Sequence, residues 1–144
     1  MTSPPRMSSA FIDSTVFFAA CASATGSSRL LIESGLAGQL FLYFSSLVLL
    51  ETERNLAQSR PQALGQLLLY RAKPTNIVDP PVDLVRRAMQ IVHAKDAAIV
   101  AAAAHGHADY LVTLDKRHIL SAAGAIASTF GLVVLTPGEM LAHR

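Results

Sequence analysis

Six phenylalanines, three tyrosines, no tryptophan and a single cysteine are all that the 144 positions hold of these types. Cys21 cannot form an internal disulfide, and it lies in VFFAACASA, an apolar helical stretch where a free cysteine is a small core residue. The few aromatics fall mostly inside apolar runs, so no platform for stacking nucleic-acid bases is evident. Charged residues make up only 15% of the chain, yet no apolar stretch reaches the roughly 18–20 residues needed to cross a bilayer. The opening MTSPPRMSSAFID lacks a basic segment followed by a long apolar run and a small-residue cleavage site. Secretion is therefore not expected and a cytoplasmic location is. Met7 is an alternative start, and residues 1–7 are expected to be a flexible N-terminal segment.

What remains reads as one domain over residues 1–144, long enough for a proper core and too short for two ordinary domains. With 51% hydrophobic residues and a mean hydropathy of +0.39, the apolar surplus suits a subunit or partner interface. Twelve Lys and Arg stand against ten Asp and Glu. If several of those acids share one pocket, the remaining surface is distinctly basic, as a protein that meets a polyanion such as nucleic acid would be.

Apolar strands alternate with amphipathic helices. SSAFID reads as a buried strand and STVFFAACAS as a helix capped by Ser14 or Thr15. SSRLLIESGLAG carries Leu30, Leu31, Leu36 and Ala37 at helical spacing, with Gly35 and Gly38 as stops. QLFLYFSS is a second strand, and LVLLETERNLAQ a helix capped by Ser45 or Ser46. PQALGQLLLYRAK starts at Pro61, carries Leu64, Leu67, Leu68 and Tyr70, and ends before Pro74. TNIVDPP is a short strand or extended link. One helix is expected through PVDLVRRAMQIVHAK and a separate one from Asp96 through DAAIVAAAAHG. ADYLVTLD and GLVVLT complete the strands. The pattern predicts an α/β fold, a three-layer α/β/α sandwich with a mostly parallel central sheet, in which ligands bind beyond the carboxyl ends of the strands.

Four acids stand at the edges of these apolar runs: Asp13 after FI, Glu51 after LVLL, Asp96 before AAIVAAAA, and Asp115 after LVTL. Glu53 is about 200° round the helix from Glu51 and, beside Arg54, reads as solvated. Carboxylates that converge in a low dielectric repel one another, and a divalent cation resolves the conflict. Mg2+ or Mn2+ suits oxygen ligands, and the reaction that fits is metal-assisted phosphodiester hydrolysis. Thr113, on the same strand side as Asp115, is placed to orient a carboxylate, as Ser14 or Thr15 is beside Asp13.

In their order and separations, FIDSTVFFAA, SSLVLLETERNL, KDAAIVAAAAHGHADYLVTLDKRHIL and GLVVLTPGEML make the chain resemble the PIN domain family. That family comprises metal-dependent nucleases, among them the VapC-type toxins of bacterial toxin–antitoxin pairs. The resemblance covers nearly the whole chain. It implies that Asp13, Glu51, Asp96 and Asp115 form the family's acidic quartet, which binds Mg2+ or Mn2+ and cleaves RNA, and that Thr113 matches its frequent Ser or Thr. It also implies a homodimer or higher homo-oligomer and, for a toxin, a small antitoxin protein covering the groove. The chain departs from the pattern twice: Thr15 stands where many members have Asn, and Arg117 where many have a further acid. Both imply a leaner site, with one resting metal, and leave Lys116, Arg117 or His118 to hold a substrate phosphate.

Competing readings are a phosphatase with Asp13 as nucleophile, which Thr15 serves poorly where a second carboxylate is wanted, and a non-catalytic interaction module. His105, His107 and Asp109 look like metal ligands, but alternate positions on a helix diverge and Gly106 breaks their alignment. Arg54, Arg60, Arg71, Lys73, Arg86, Arg87 and Lys95 are candidates for an RNA-binding rim.

Overall fold

The computed structural model describes residues 7–73 and 76–143. Residues 1–6 of the expected flexible segment, and Pro74 as a helix stop, lie outside them. Met7 is half-buried and lines an apolar cleft with Phe17, Ile32 and Phe44.

Five parallel strands form one sheet: β1 (Ser9–Ile12), β2 (Phe41–Phe44), β3 (Asn76–Ile77), β4 (Tyr110–Val112) and β5 (Val133–Leu135), in the order β3-β2-β1-β4-β5. Phe11 is opposite Tyr43 on one side and Leu111 on the other, so β1 is central and all four of its residues are buried. An unbroken apolar run is what a parallel strand covered on both faces requires. The chain turns from one half of the sheet to the other between β1 and β4, the switch point where parallel sheets open a crevice.

Eight α-helices are present among the described residues: α1 (Ser14–Ala22), α2 (Ser27–Leu36), α3 (Ser46–Ser59), α4 (Leu64–Arg71), α5 (Val82–Ala88), α6 (Ala94–His105), α7 (Ala123–Phe130) and α8 (Pro137–His143). Helices α1 to α4 and α8 pack among themselves, and α5 packs with α6. Arg87 of α5 lies over the Phe130 ring that ends α7, 5.1 Å from its centroid. The result is the expected α/β sandwich. Its core includes Phe17, whose ring sits 4.7 Å from that of Phe44, and Tyr70, whose hydroxyl donates to Glu33 Oε1 at 2.9 Å.

Several local expectations are corrected. The helix expected through PVDLVRRAMQIVHAK ends at Ala88, and tight turns replace it: Gln90 N–H donates to Arg87 C=O and Ile91 N–H to Ala88 C=O. The next helix begins at Ala94 with His93 as its cap, Nδ1 accepting from Lys95 N–H at 3.1 Å, so Asp96 lies inside the first turn. Strand β4 stops at Val112, which leaves Thr113 and Asp115 beyond its end. In α2 the core side is Leu31 and Ile32, while Leu30, about 100° away, is exposed. Gly35 does not stop that helix; it lies within it, at a position where a Cβ would collide with the Leu42 side chain, and the left-handed turn follows at Gly38, φ 82°. The Pro61 segment opens as a single 3₁₀ turn before α4, and Leu68 is exposed. Helices α7 and α8 were not anticipated.

The start of α3 is firmly fixed. Buried Ser45 accepts the Val48 N–H at 3.1 Å, and Asp79 accepts both the N–H and the hydroxyl of Ser46, at 2.8 and 2.7 Å. Ser45→Ala strands the Val48 N–H in the core and is expected to cost about 1–2 kcal/mol, read as a lowered urea midpoint with an unchanged slope.

Candidate active site

The carboxyl ends of β1 and β4 open into a cleft of about 140 Å³, lined by Asp13, Glu51, Lys95, Asp96 and Asp115 together with Ser14, Thr15, Asn55 and Ile99. Asp13 follows β1 directly, and Asp115 lies just past β4. Glu51 is reached from α3, which leaves the end of β2, and Asp96 from the first turn of α6. The four acids recognised in the sequence thus meet at the switch point, and the fifth candidate, Thr113, stands behind them.

Asp13 takes the cap position of α1 in place of Ser14 or Thr15, and its carbonyl accepts from Val16 and Phe17 N–H. Its carboxylate makes no cap bond. Instead Oδ2 accepts from Thr113 Oγ1 at 2.7 Å and Thr15 Oγ1 at 2.8 Å, both hydroxyls donating. Each hydroxyl is itself fixed: Thr113 Oγ1 accepts from Asp115 N–H at 3.0 Å, and Thr15 Oγ1 from Leu114 N–H at 3.0 Å. A short chain of hydrogen bonds therefore ties the end of β1 to the loop after β4. Of the two residues expected to orient Asp13 from beside it, Ser14 and Thr15, it is Thr15 that does so, despite its shorter reach than Asn.

Electrostatically the pocket is strained toward protonation. Burial pushes the Asp13 carboxyl above its ordinary range, with the two threonine hydroxyls pulling the other way. Glu51 is raised by burial and by Asp13, against a lowering from Lys95. Asp96, only 8% exposed, is raised by burial and by Asp115. Its Oδ2 is buried and has no hydrogen-bond partner.

Asp115 is differently held. Its Oδ1 accepts from Arg117 and His118 N–H, at 3.1 and 3.0 Å, and its Oδ2 lies 3.4 Å from His118 Nδ1. One oxygen or nitrogen atom from each of Asp96, Asp115 and His118 falls within 4.8 Å of the others. His118 was foreseen only as a phosphate contact; as a potential ligand it carried no sequence signal beyond its place three residues after Asp115.

Outside the cleft the candidates separate. Glu53 is exposed and 3.9 Å from Arg71. Of the expected basic rim, Lys95 lines the pocket and Arg54 acts on Glu51, whereas Arg71 faces Glu53, Arg86 pairs with Asp83 at 3.5 Å, and Arg87 covers Phe130. Asp109 Oδ2 accepts from the Ser9 N–H and hydroxyl, which makes it a clasp at the opposite end of β1.

The fold has counterparts. Solved structures similar to the chain include VapBC2 from Rickettsia felis bound to a DNA fragment from its promoter, at 17% identity and a TM-score of 0.63, covering 89% of this chain and 98% of that one. Another is the sarcin–ricin loop cleaving toxin VapC20 of Mycobacterium tuberculosis, at 20% identity, TM-score 0.54, and 80% and 95% coverage. PAE2754 from Pyrobaculum aerophilum matches at 17% identity, TM-score 0.60, and 95% and 88% coverage. No curated protein sequence matches. A sequence profile described as the PIN domain matches residues 9–117, a span that takes in all four acids and the whole of β1 to β4, and the chain belongs to the PIN domain family.

Proposed function

We propose that this protein is a metal-dependent endoribonuclease that hydrolyses RNA phosphodiester bonds and acts as the toxin of a toxin–antitoxin pair. The observation that carries the reading is the buried, unpartnered Asp96 Oδ2 beside three further acids at the switch point. An oxygen-rich donor set with one orphaned buried acceptor fits a hard divalent cation, Mg2+ or Mn2+. Asp13, Asp96 and Asp115 would hold it, with Glu51 supporting. When bound, the cation supplies Lewis acidity toward a phosphoryl oxygen and neutralises the charge that builds up there.

The remaining work falls to the chain. Thr113 and Thr15 fix Asp13, so that its carboxylate keeps a constant direction. Glu51, half-buried and raised in pKa, is suited to take a proton from the attacking water as the phosphorus–oxygen bond to the leaving sugar breaks. Lys95 offers a positive charge at the mouth for the substrate phosphate.

The toxin setting rests on the likeness to VapBC2 and VapC20, and with it come two expected partners, a second copy of the chain and a small antitoxin. No single helix among the described residues is long and apolar enough to cross a membrane. A phosphatase with Asp13 as nucleophile is disfavoured: where it needs an acid two residues on, Thr15 donates to Asp13. The nuclease reading is tested by incubating purified protein with single-stranded RNA. Fragments should form with Mn2+ and cease with chelator; intact RNA under both conditions would favour a non-catalytic interaction module.

A further inference from the structure

We infer that His118 is a nitrogen ligand of the cation held in this pocket, and that the site therefore prefers a transition-metal ion such as Mn2+ to Mg2+. The inference rests on the metal-holding reading above. Acids alone do not set such a preference, but an imidazole does. Carboxylates and water suit magnesium and manganese alike, whereas nitrogen ligands favour the transition metals.

The loop after β4 aims the imidazole. Both Arg117 and His118 N–H groups bind Asp115 Oδ1, which closes residues 115–118 into a turn and leaves Oδ2 free beside His118 Nδ1. Across from it stands Asp96, 8% exposed, with an Oδ2 that nothing satisfies. Ligand atoms of all three residues lie within 4.8 Å of one another, a gap that small side-chain rotations close onto one ion with bonds of about 2.0–2.2 Å. An ion pair between His118 and Asp115 alone leaves Asp96 Oδ2 stranded in the interior. A cation shared by all three satisfies it.

His93 provides an internal control. Its ring is 6.0 Å from that of His118, but its Nδ1 is engaged by the Lys95 N–H at the head of α6. The His118 side chain is 43% exposed, so replacing it leaves the core intact.

The test combines calorimetric titration with Mn2+ and with Mg2+ and pulsed electron paramagnetic resonance of the Mn2+-loaded protein. The parent is expected to bind Mn2+ at least about tenfold more tightly than Mg2+ and to show nitrogen coupling to the ion. In His118→Gln the nitrogen coupling should vanish and Mn2+ affinity fall by about tenfold or more, with Mg2+ affinity changed less than about threefold. His93→Gln should keep the coupling. Nitrogen coupling that survives His118→Gln, or an equal loss for both ions, overturns the role of His118 and leaves the metal pocket standing. A parent that binds neither ion overturns the pocket and this inference together.

Discussion

Asp96→Asn is expected to cut RNA cleavage at least about a hundredfold while raising the thermal stability of the metal-free protein. The two effects have one cause. Asp96 is buried beside Asp115, its Oδ2 lacks a partner, and burial already holds its carboxyl above the ordinary range. A group with these properties destabilises the fold unless a cation compensates it. The amide keeps the size, removes the charge, and brings an N–H donor to a pocket full of acceptors. A melting curve in chelator, compared with cleavage in Mn2+, checks both halves. A variant that is less stable than the parent, or one that still cleaves, contradicts the placement of Asp96.

Acidity and metal should act on stability in opposite senses. Asp13, Glu51 and Asp96 all have raised folded-state pKa values, from causes led by burial. For a raised acid, the contribution to stability is complete below the unfolded-state pKa, near 4, and is lost as pH climbs through the higher folded value. In chelator the melting temperature should therefore decline as the solution passes from mildly acidic toward neutral. At neutral pH an ion at a hundred times its Kd should return about 2.7 kcal/mol, or about 5–10 °C for a chain of this size. Asp96→Asn should show both a shallower decline and no recovery. A melting temperature that rises with pH in chelator, or one indifferent to Mn2+, counts against a pocket of mutually repelling acids.

The parts of the fold that were legible in the sequence are those where burial leaves a continuous apolar trace. SAFI and YLV are fully or mostly buried parallel strands, and the acids that terminate such runs could be placed at the carboxyl edge before any geometry was known. Two separate helices were expected here, but the position of the break between α5 and α6 was not legible. The turns after Ala88 retain bonds three and four residues back, so apolar spacing runs through to Val92 with no glycine or proline to mark the change. Helix α7 is only eight residues long, built largely of Ala, Gly, Ser and Thr with Ile126 its single buried residue, and only Gly131, φ 66°, marks its end. Helix α8 did carry a signal: Thr136 and Glu139 bind each other's backbone N–H groups, the reciprocal cap that T-x-x-E encodes.

At the site, the sequence revealed which residues converge but not how they are held. Asp13 was expected beside a capping Ser14 or Thr15; it occupies the cap position itself and turns its carboxylate away to the two threonine hydroxyls. That choice forgoes a cap worth about 1 kcal/mol and fixes an acid in the cleft instead. His118 was read only as a phosphate contact and not as a ligand, because that role depends on Asp96, 22 positions earlier in the chain, and only folding brings the two together.

The central claim, that these acids form one cation-holding pocket, is tested most directly by calorimetric titration of the metal-free protein with Mn2+ at neutral pH, alongside Asp13→Asn. The account predicts saturable binding by the parent that weakens at least about tenfold in the variant; no binding by the parent, or equal binding by both, would contradict it.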